Sequence, residues 1–229
     1  FFSSFFPGSM ESELNWIEES EQPAINTIRE AVQSDVVDFS ELPDDMTHEL
    51  TIARFLRGNG NDAKIAEKLF RQSLDHRREL NKRPEIAAMR KAIHKHLVVD
   101  LSHLPFFAEL SDKKLLPLRG MDGMNVQDLP TLLVAPGLLD CEALSVFMGD
   151  EKEVEKFRAF MLAHLEQRAI VLHNLSIEQK RMVKFVDVRD LFGVSTGALL
   201  GPIRSFMGFL SALFKEVQDY YPEIIHQVS

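Results

Sequence analysis

The sequence lacks several features that common classes of protein require. It contains a single cysteine, Cys141, so no disulfide can form within its 229 residues. No run approaches the ~20 apolar residues of a membrane span. The sequence has no glycine-rich phosphate loop and no serine in a nucleophile-elbow context. These absences favour a reducing compartment, predict a cytoplasmic protein and give no support to an enzyme.

Signals for metal ions and nucleic acids are also weak. His94, His96 and His103 lie close together in the sequence, but no helical i, i+4 pair with an associated acid forms a zinc signature. We therefore predict no metal site and no cofactor. The formal net charge of -9 gives the chain as a whole no electrostatic reason to bind nucleic acid.

Charge is present in abundance and is unevenly distributed. The first 50 residues contain 12 acidic residues and one basic residue, whereas the next 45 contain 12 basic and 5 acidic residues. We divide the chain into an acidic N-terminal segment (1–47), a basic helical module (48–95) and an α/β domain (96–229). The basic segment 54–95 can be a solvated helical face, which we favour, or a surface for an anionic membrane or a protein partner.

Apolar periodicity predicts helices in both halves of the chain. The predicted helices are 23–37, 48–57, 63–80, 84–95 and 151–174, followed by one that Pro202 begins or kinks and that Pro222 ends. Asn61 or Asp62 is expected to cap the third of these helices. Residues 39–47 are predicted to form a loop, and residues 174–179 are predicted to break the long helix.

Short apolar runs predict buried strands. These runs are residues 96–107, 129–137 and 182–188, with residues 122–128 as a turn between the first two. In the third strand, Phe185, Asp187 and Arg189 face one side, whereas Val186 and Val188 face the other. Helices that alternate with strands indicate an α/β fold with a helix-covered sheet.

Asp187 needs a partner, because an isolated carboxylate within so apolar a strand is costly to bury. Arg189, a lysine or a ligand could supply one, and we favour a structural ion pair over a role in a pocket. Asp190 is expected to fix the turn after the strand through backbone hydrogen bonds. Asp187 and Asp190 face opposite sides of the strand, so they cannot act together as catalytic carboxylates.

Phenylalanine is the dominant aromatic residue, with 17 copies against 2 tyrosines and 1 tryptophan. These side chains fit an ordinary core, which is the default interpretation. They also fit the wall of a dry cavity for a long apolar ligand. Periodicity does not separate the two.

Three motifs resemble those of the CRAL-TRIO lipid-binding family. The segment TIARFLRGNGNDAKIAEKLFRQSLDHRREL resembles the N-terminal helical module of the family, and FVDVRDLFGVS resembles its strand and turn. The helix that ends in YYPE resembles the corresponding family motif. The resemblance covers roughly residues 50–229 and is more specific in the second half.

The resemblance implies an α/β fold in which an N-terminal helical module precedes a helix-covered β-sheet that forms the floor of a lipid pocket. It implies non-enzymatic binding, and transfer or sensing, of a phospholipid or similar hydrophobic small molecule, with transient, peripheral visits to a membrane surface. Strand 185–189 should belong to the floor, with 132–135 as the adjacent strand. The predicted lipid-binding residues are Leu132, Val134, Phe185, Asp187, Arg189, Phe206, Leu210 and Phe214.

The sequence departs from the family pattern in three places. Phe185 and Asp187 stand where floor positions carry hydroxyls, so phosphatidylcholine-type recognition is not expected. Asp128 and Leu129 replace the glycine-arginine that precedes the proline, here Pro130. The strand and other elements that follow YYPE in the family are expected to be missing, which predicts an incomplete pocket. The alternative function is a protein-interaction or regulatory module in which lipid binding is incidental or lost.

Overall fold

The computed structural model describes residues 16–35, 39–194, 202–222 and 225–228. Its α-helices are α1 (Gln22–Asp35), α2 (Asp44–Thr47), α3 (Glu49–Gly58), α4 (Ala63–Asn81), α5 (Pro84–Ile93), α6 (Phe107–Asp112), α7 (Cys141–Met148), α8 (Glu151–Gln179) and α9 (Pro202–Val217). Its strands are β1 (Leu118–Met124), β2 (Pro130–Val134), β3 (Phe185–Arg189) and β4 (Ile225–Val228). Short 3-10 helices lie at Phe39–Glu41, Leu101–His103, Pro136–Leu138 and Gln218–Tyr220.

The predicted amphipathic helices are confirmed, and polar side chains mark where they begin. The Asp62 carboxylate accepts hydrogen bonds from the backbone N–H groups of Lys64 and Ile65 at the start of α4. The His48 imidazole accepts one from the N–H of Leu50 at the start of α3. Residues 36 and 37 of the first predicted helix lie outside the described residues.

Helices α1 to α4 pack around one apolar core. Ile25, Met46 and Phe70 are fully buried in it, and Met182 closes it from the segment that precedes β3. The loop predicted at 39–47 is wrong, because this segment forms a 3-10 helix and α2 and buries Met46. The described parts of the acidic segment, residues 16–35 and 39–47, are therefore packed into the helical module through their apolar side chains.

The long helix α8 extends through Gln179 instead of breaking after Asn174. Residues 174–179 contain neither proline nor glycine, so nothing in this segment forces the helix to end. The Asn174 amide donates to the carbonyl of His96 at 2.9 Å, which ties the neighbouring chain to α8. Lys180 caps the C-terminus of the helix and has a left-handed φ of 51°.

The four strands form one mixed sheet in the order β1-β2-β3-β4. β1 and β2 are antiparallel, whereas β2, β3 and β4 are parallel. Leu132 pairs with Asp187, which confirms that the two predicted strands are neighbours. β4 follows the YYPE motif, so the expectation that no further strand follows it is wrong.

The strand predicted at 96–107 is absent, and β1 takes the edge of the sheet instead. Pro105 has no N–H for a sheet ladder, and Phe106 adopts a left-handed φ of 61°. β1 was missed because Gly120 and Gly123 interrupt its apolar pattern. Both glycines have positive φ and lie within the irregular register between β1 and β2.

The two faces of the sheet differ in what covers them. Leu132 and Asp187, on what we call the first face, lie against α8, because Asp187 contacts Arg168 of that helix. Leu133, Val186 and Val188 point to the opposite side, which we call the second face. Val186 is buried, whereas Leu133 and Val188 are half-buried.

Candidate functional site

Asp187 is satisfied by a buried arginine on the first face. Arg168 donates from Nη2 to Asp187 Oδ1 at 3.0 Å, and its guanidinium lies 4.9 Å from the centroid of the Phe185 ring. Burial lowers the pKa of Arg168 against the opposing effect of the Asp187 carboxylate. The favoured structural ion pair is present, but its partner is Arg168, whereas Arg189 is exposed.

The structure places the predicted lipid-binding residues in three environments. Buried residues are Leu132, Phe185, Asp187, Phe206 and Leu210; Val134 is half-buried; Arg189 and Phe214 are exposed. The ring of Phe206 lies 5.1 Å from that of Phe157 on α8, so α9 packs into the core at this point. The structure therefore brings Leu132, Phe185 and Asp187 together beneath α8, where protein side chains already fill the space.

The second face continues into an exposed apolar turn. The backbone N–H of Phe192 donates to Asp190 Oδ1 at 2.9 Å, which confirms that Asp190 fixes the turn after β3. The turn leaves Leu191 65% and Phe192 88% exposed. Gly137 permits this arrangement, because a Cβ at that position would lie 1.9 Å from the Phe192 carbonyl oxygen.

An open groove of about 690 Å³ lies beside the edge strand β1. It runs between β1, the chain at 96–102 and α6, and we call it the β1 groove. Its lining includes the apolar side chains Val98, Leu116, Leu118 and Met121 and the cationic side chains Lys114 and Arg119. The groove is not evident from the sequence, because the apolar run at 96–107 predicts a buried strand and not the wall of a groove.

A buried charge network joins the helical module to the sheet domain, and sequence analysis did not predict it. Glu166 of α8 accepts hydrogen bonds from Arg77 Nε at 2.7 Å, from Tyr221 Oη at 2.6 Å and from Arg90. Asp45 of α2 accepts from both arginines at 2.6 Å. Two guanidinium groups thus balance two carboxylates, as a buried ionic cluster requires.

The pKa values in this network follow from burial and from the arginines. Burial alone raises the pKa of a carboxyl group, but Arg77 and Arg90 outweigh it and lower the pKa of Glu166 to about 2. Burial and the Glu166 carboxylate raise the pKa of Tyr221 well above its ordinary value. Glu166 therefore stays ionised and Tyr221 stays protonated at neutral pH, which suits a structural cross-link.

Other arginines of the basic segment also point inward. Arg54 donates to the carbonyl of Val183 at 2.7 Å, and Arg57 pairs with Glu21 at 2.6 Å. The interpretation of the segment as a solvated face is therefore wrong for these arginines, although Lys64 and Lys68 are exposed. The uneven charge of the sequence was the available signal for these ion pairs, because acidic and basic segments of one chain can pair with each other.

Neither metal-binding nor membrane-spanning features appear in the part of the chain that the structure describes. The rings of His96 and His103 lie 5.3 Å apart, but no described group of three His, Cys, Asp or Glu side chains is arranged to hold a metal ion. None of the described helices has both the length and the apolar character of a membrane span.

Comparison with models of known protein families gives no match, and comparison with curated proteins also gives none. The likeness to CRAL-TRIO proteins therefore depends on the sequence motifs alone.

Proposed function

We propose that this chain binds one hydrophobic ligand, a phospholipid or a similar molecule, without a chemical step. The observation that carries the proposal is the second face of the sheet. Its apolar residues Leu133 and Val188 are only half-buried, and the exposed Leu191 and Phe192 directly follow β3. Exposed apolar surface of this kind marks ligand or interaction sites in proteins.

The ligand would move from a bilayer to the second face of the sheet, where it would displace water. Each methylene transferred from water to an apolar surface contributes ~0.8 kcal/mol, so acyl chains require an apolar site to leave a membrane. Leu191 and Phe192 are placed to enter the membrane interface first, because they are exposed apolar side chains in the turn that directly follows β3. The corresponding role is transfer of this ligand between membranes, or sensing of it, at the cytoplasmic surface.

The motifs that resemble the CRAL-TRIO family support this proposal. The ligand-contacting residues that we propose differ from those that the resemblance implies. The strands expected to form the pocket floor are neighbours in the sheet. However, Phe185 and Asp187 lie against Arg168, so we assign the ligand to the half-buried Leu133 and Val188 on the other face.

The alternative, a protein-interaction module that docks through its basic segment 54–95, has less support. Arg77 and Arg90 are buried against Asp45 and Glu166, so these two charges are not available to a partner. We therefore favour the lipid-binding function.

Lipid uptake from vesicles tests the proposal. The protein is incubated with phospholipid vesicles that contain a radiolabelled lipid, then separated from them, and its bound label is counted. Val188→Asp should reduce bound lipid at least about tenfold, because it places a charge in the apolar site. Val146→Asp on α7 is the matched control, since Val146 is 74% exposed and α7 packs on α8. Equal lipid uptake by both variants and the unmodified protein would contradict the assignment.

A further inference from the structure

We propose that the β1 groove is a second binding site, which takes an amphipathic anion: a single apolar chain with an anionic head group. The groove holds about 690 Å³, which lies within the range of small-molecule sites in proteins. None of Leu133, Val186 and Val188 of the second face lines it, so this proposal and the proposed function can fail separately.

The apolar part of the groove is suited to a hydrocarbon chain. Leu116 is buried at its base, Met121 is half-buried, and Val98 is 51% exposed along its wall. Leu118 extends the same apolar surface on β1. A hydrocarbon chain laid along these side chains would be removed from water, and so would Val98.

Two cations at the groove, Lys114 and Arg119, lack a counter-charge in the part of the chain that the structure describes. Among the described residues, neither Lys114 nor Arg119 forms an ion pair. The neighbouring Lys113, by contrast, is paired with Glu109 at 2.9 Å and with Glu153. Lys114 and Arg119 are therefore available to a ligand, and the ligand that complements them is an anion.

The acidic residue that lines the groove is already engaged. Asp100 accepts a hydrogen bond from the backbone N–H of Ser102 at 2.9 Å and lies 3.6 Å from the imidazole of His103. Its carboxylate therefore faces partners in its own loop. The charge left for a ligand is positive, from Lys114 and Arg119.

The backbone at Lys114 fixes the position of this residue at the end of α6. Lys114 has a φ of 54°, a left-handed conformation that glycine and asparagine adopt more readily than lysine. Hydrogen bonds hold it there, because its N–H donates to Ser111 and its carbonyl accepts from Asp140. This is the common left-handed cap of a helix C-terminus, and from it Lys114 lines the groove.

Calorimetric titration of the full chain with three eight-carbon amphiphiles tests this site. The probes are octyl phosphate, octanoate and neutral octyl glucoside, each kept below its micelle concentration. We expect either anion to bind at least about tenfold more tightly than the glucoside. Each added methylene on the preferred anion should tighten binding about fourfold, which is the value for burial in an apolar site. The tighter anion identifies the head group as phosphate or carboxylate.

Three substitutions locate the site. Lys114→Asn and Arg119→Gln should each weaken binding of octyl phosphate about tenfold, whereas Lys68→Gln, on the exposed face of α4, should leave it unchanged. Lys114→Asn should also keep or raise the melting temperature, because asparagine tolerates the left-handed backbone. Loss of binding without loss of stability separates a ligand contact from a structural role.

Two results would overturn the proposal. Equal affinity for octyl phosphate and octyl glucoside would show that no cation recognises the head group. An equal loss of binding in Lys68→Gln and Lys114→Asn would show that the anions bind only to general positive charge.

Discussion

Glu166 is the carboxylate on which the buried network depends, since Arg77, Arg90 and Tyr221 all donate to it. Glu166→Gln would leave two buried guanidinium groups with only Asp45 as a counter-charge. We expect the free energy of unfolding to fall by ~3–5 kcal/mol, as measured by urea denaturation. Tyr221→Phe removes one hydrogen bond and keeps the charges, so its loss should be ~1 kcal/mol. Equal losses in the two variants would contradict this account.

The same carboxylate makes stability depend on pH. The pKa of Glu166 is about 2 in the folded state against 4.5 for an ordinary glutamate. Because the folded-state value is the lower one, this stabilisation is complete above pH 4.5 and is lost as the pH falls to about 2. The difference of about 2.5 pKa units corresponds to ~3 kcal/mol. The stability gap between the unmodified protein and Glu166→Gln should shrink over this range. A stability difference between the two proteins that stays constant from neutral pH to pH 2 would contradict this role of Glu166.

Asp187 and Arg168 should behave as a structural pair. Asp187→Asn leaves Arg168 buried without a counter-charge and should cost ~3–5 kcal/mol in unfolding free energy. Adding Arg168→Met should recover much of that loss, because it removes the unpaired charge. Bound lipid per folded molecule should stay unchanged in the double variant. A changed ligand composition would instead assign Asp187 to the pocket.

Local side-chain roles could be predicted from the sequence, and distant ones could not. Asp62 and Asp190 act within a few residues of themselves, so their caps and turns follow from local chemistry. The sequence also showed that the Asp187 carboxylate, within an apolar strand, needs a partner for its charge. The identity of that partner depends on how α8 crosses the sheet, which periodicity does not encode. The link between Arg77 and Glu166 spans 89 residues for the same reason.

The turn after β3 depends on a close approach to the 3-10 helix Pro136–Leu138. Gly137→Ala places a Cβ 1.9 Å from the Phe192 carbonyl oxygen, so the turn must move. We expect a loss of ~1–3 kcal/mol in thermal or urea unfolding, together with reduced lipid uptake. The matched control is Gly208→Ala on α9, where an added Cβ meets nothing within 4 Å. That change should stabilise the protein by ~0.5–1 kcal/mol. Destabilisation by Gly208→Ala alone would contradict the packing described.

Elements with a strong period were predictable, and irregular ones were not. The helices α1, α3, α4, α5 and α8 and the strands β2 and β3 follow from their apolar spacing. β1 carries glycines at bulges, so its strand pattern is broken. The face of β3 that meets α8 could not be chosen from the sequence, because Phe185 and Val188 are both apolar and either face could have been the buried one.

Part of the uneven charge of the chain is balanced within the molecule. Glu21 and Asp45 of the acidic segment pair with Arg57, Arg77 and Arg90 of the basic one. These pairs fix the helical module on α8, whereas Leu133 and Val188 on the second face of the sheet are only half-buried. The molecule thus combines buried ion pairs with an apolar surface that we propose accepts a ligand.

The central claim is that the second face of the sheet holds one hydrophobic ligand. Native mass spectrometry of the protein purified from its own cells, beside Val188→Asp prepared identically, tests it most directly. We predict one releasable lipid on the unmodified protein and an empty, folded Val188→Asp variant. A folded unmodified protein that carries no ligand, or a variant that carries the same ligand at the same occupancy, would contradict the claim.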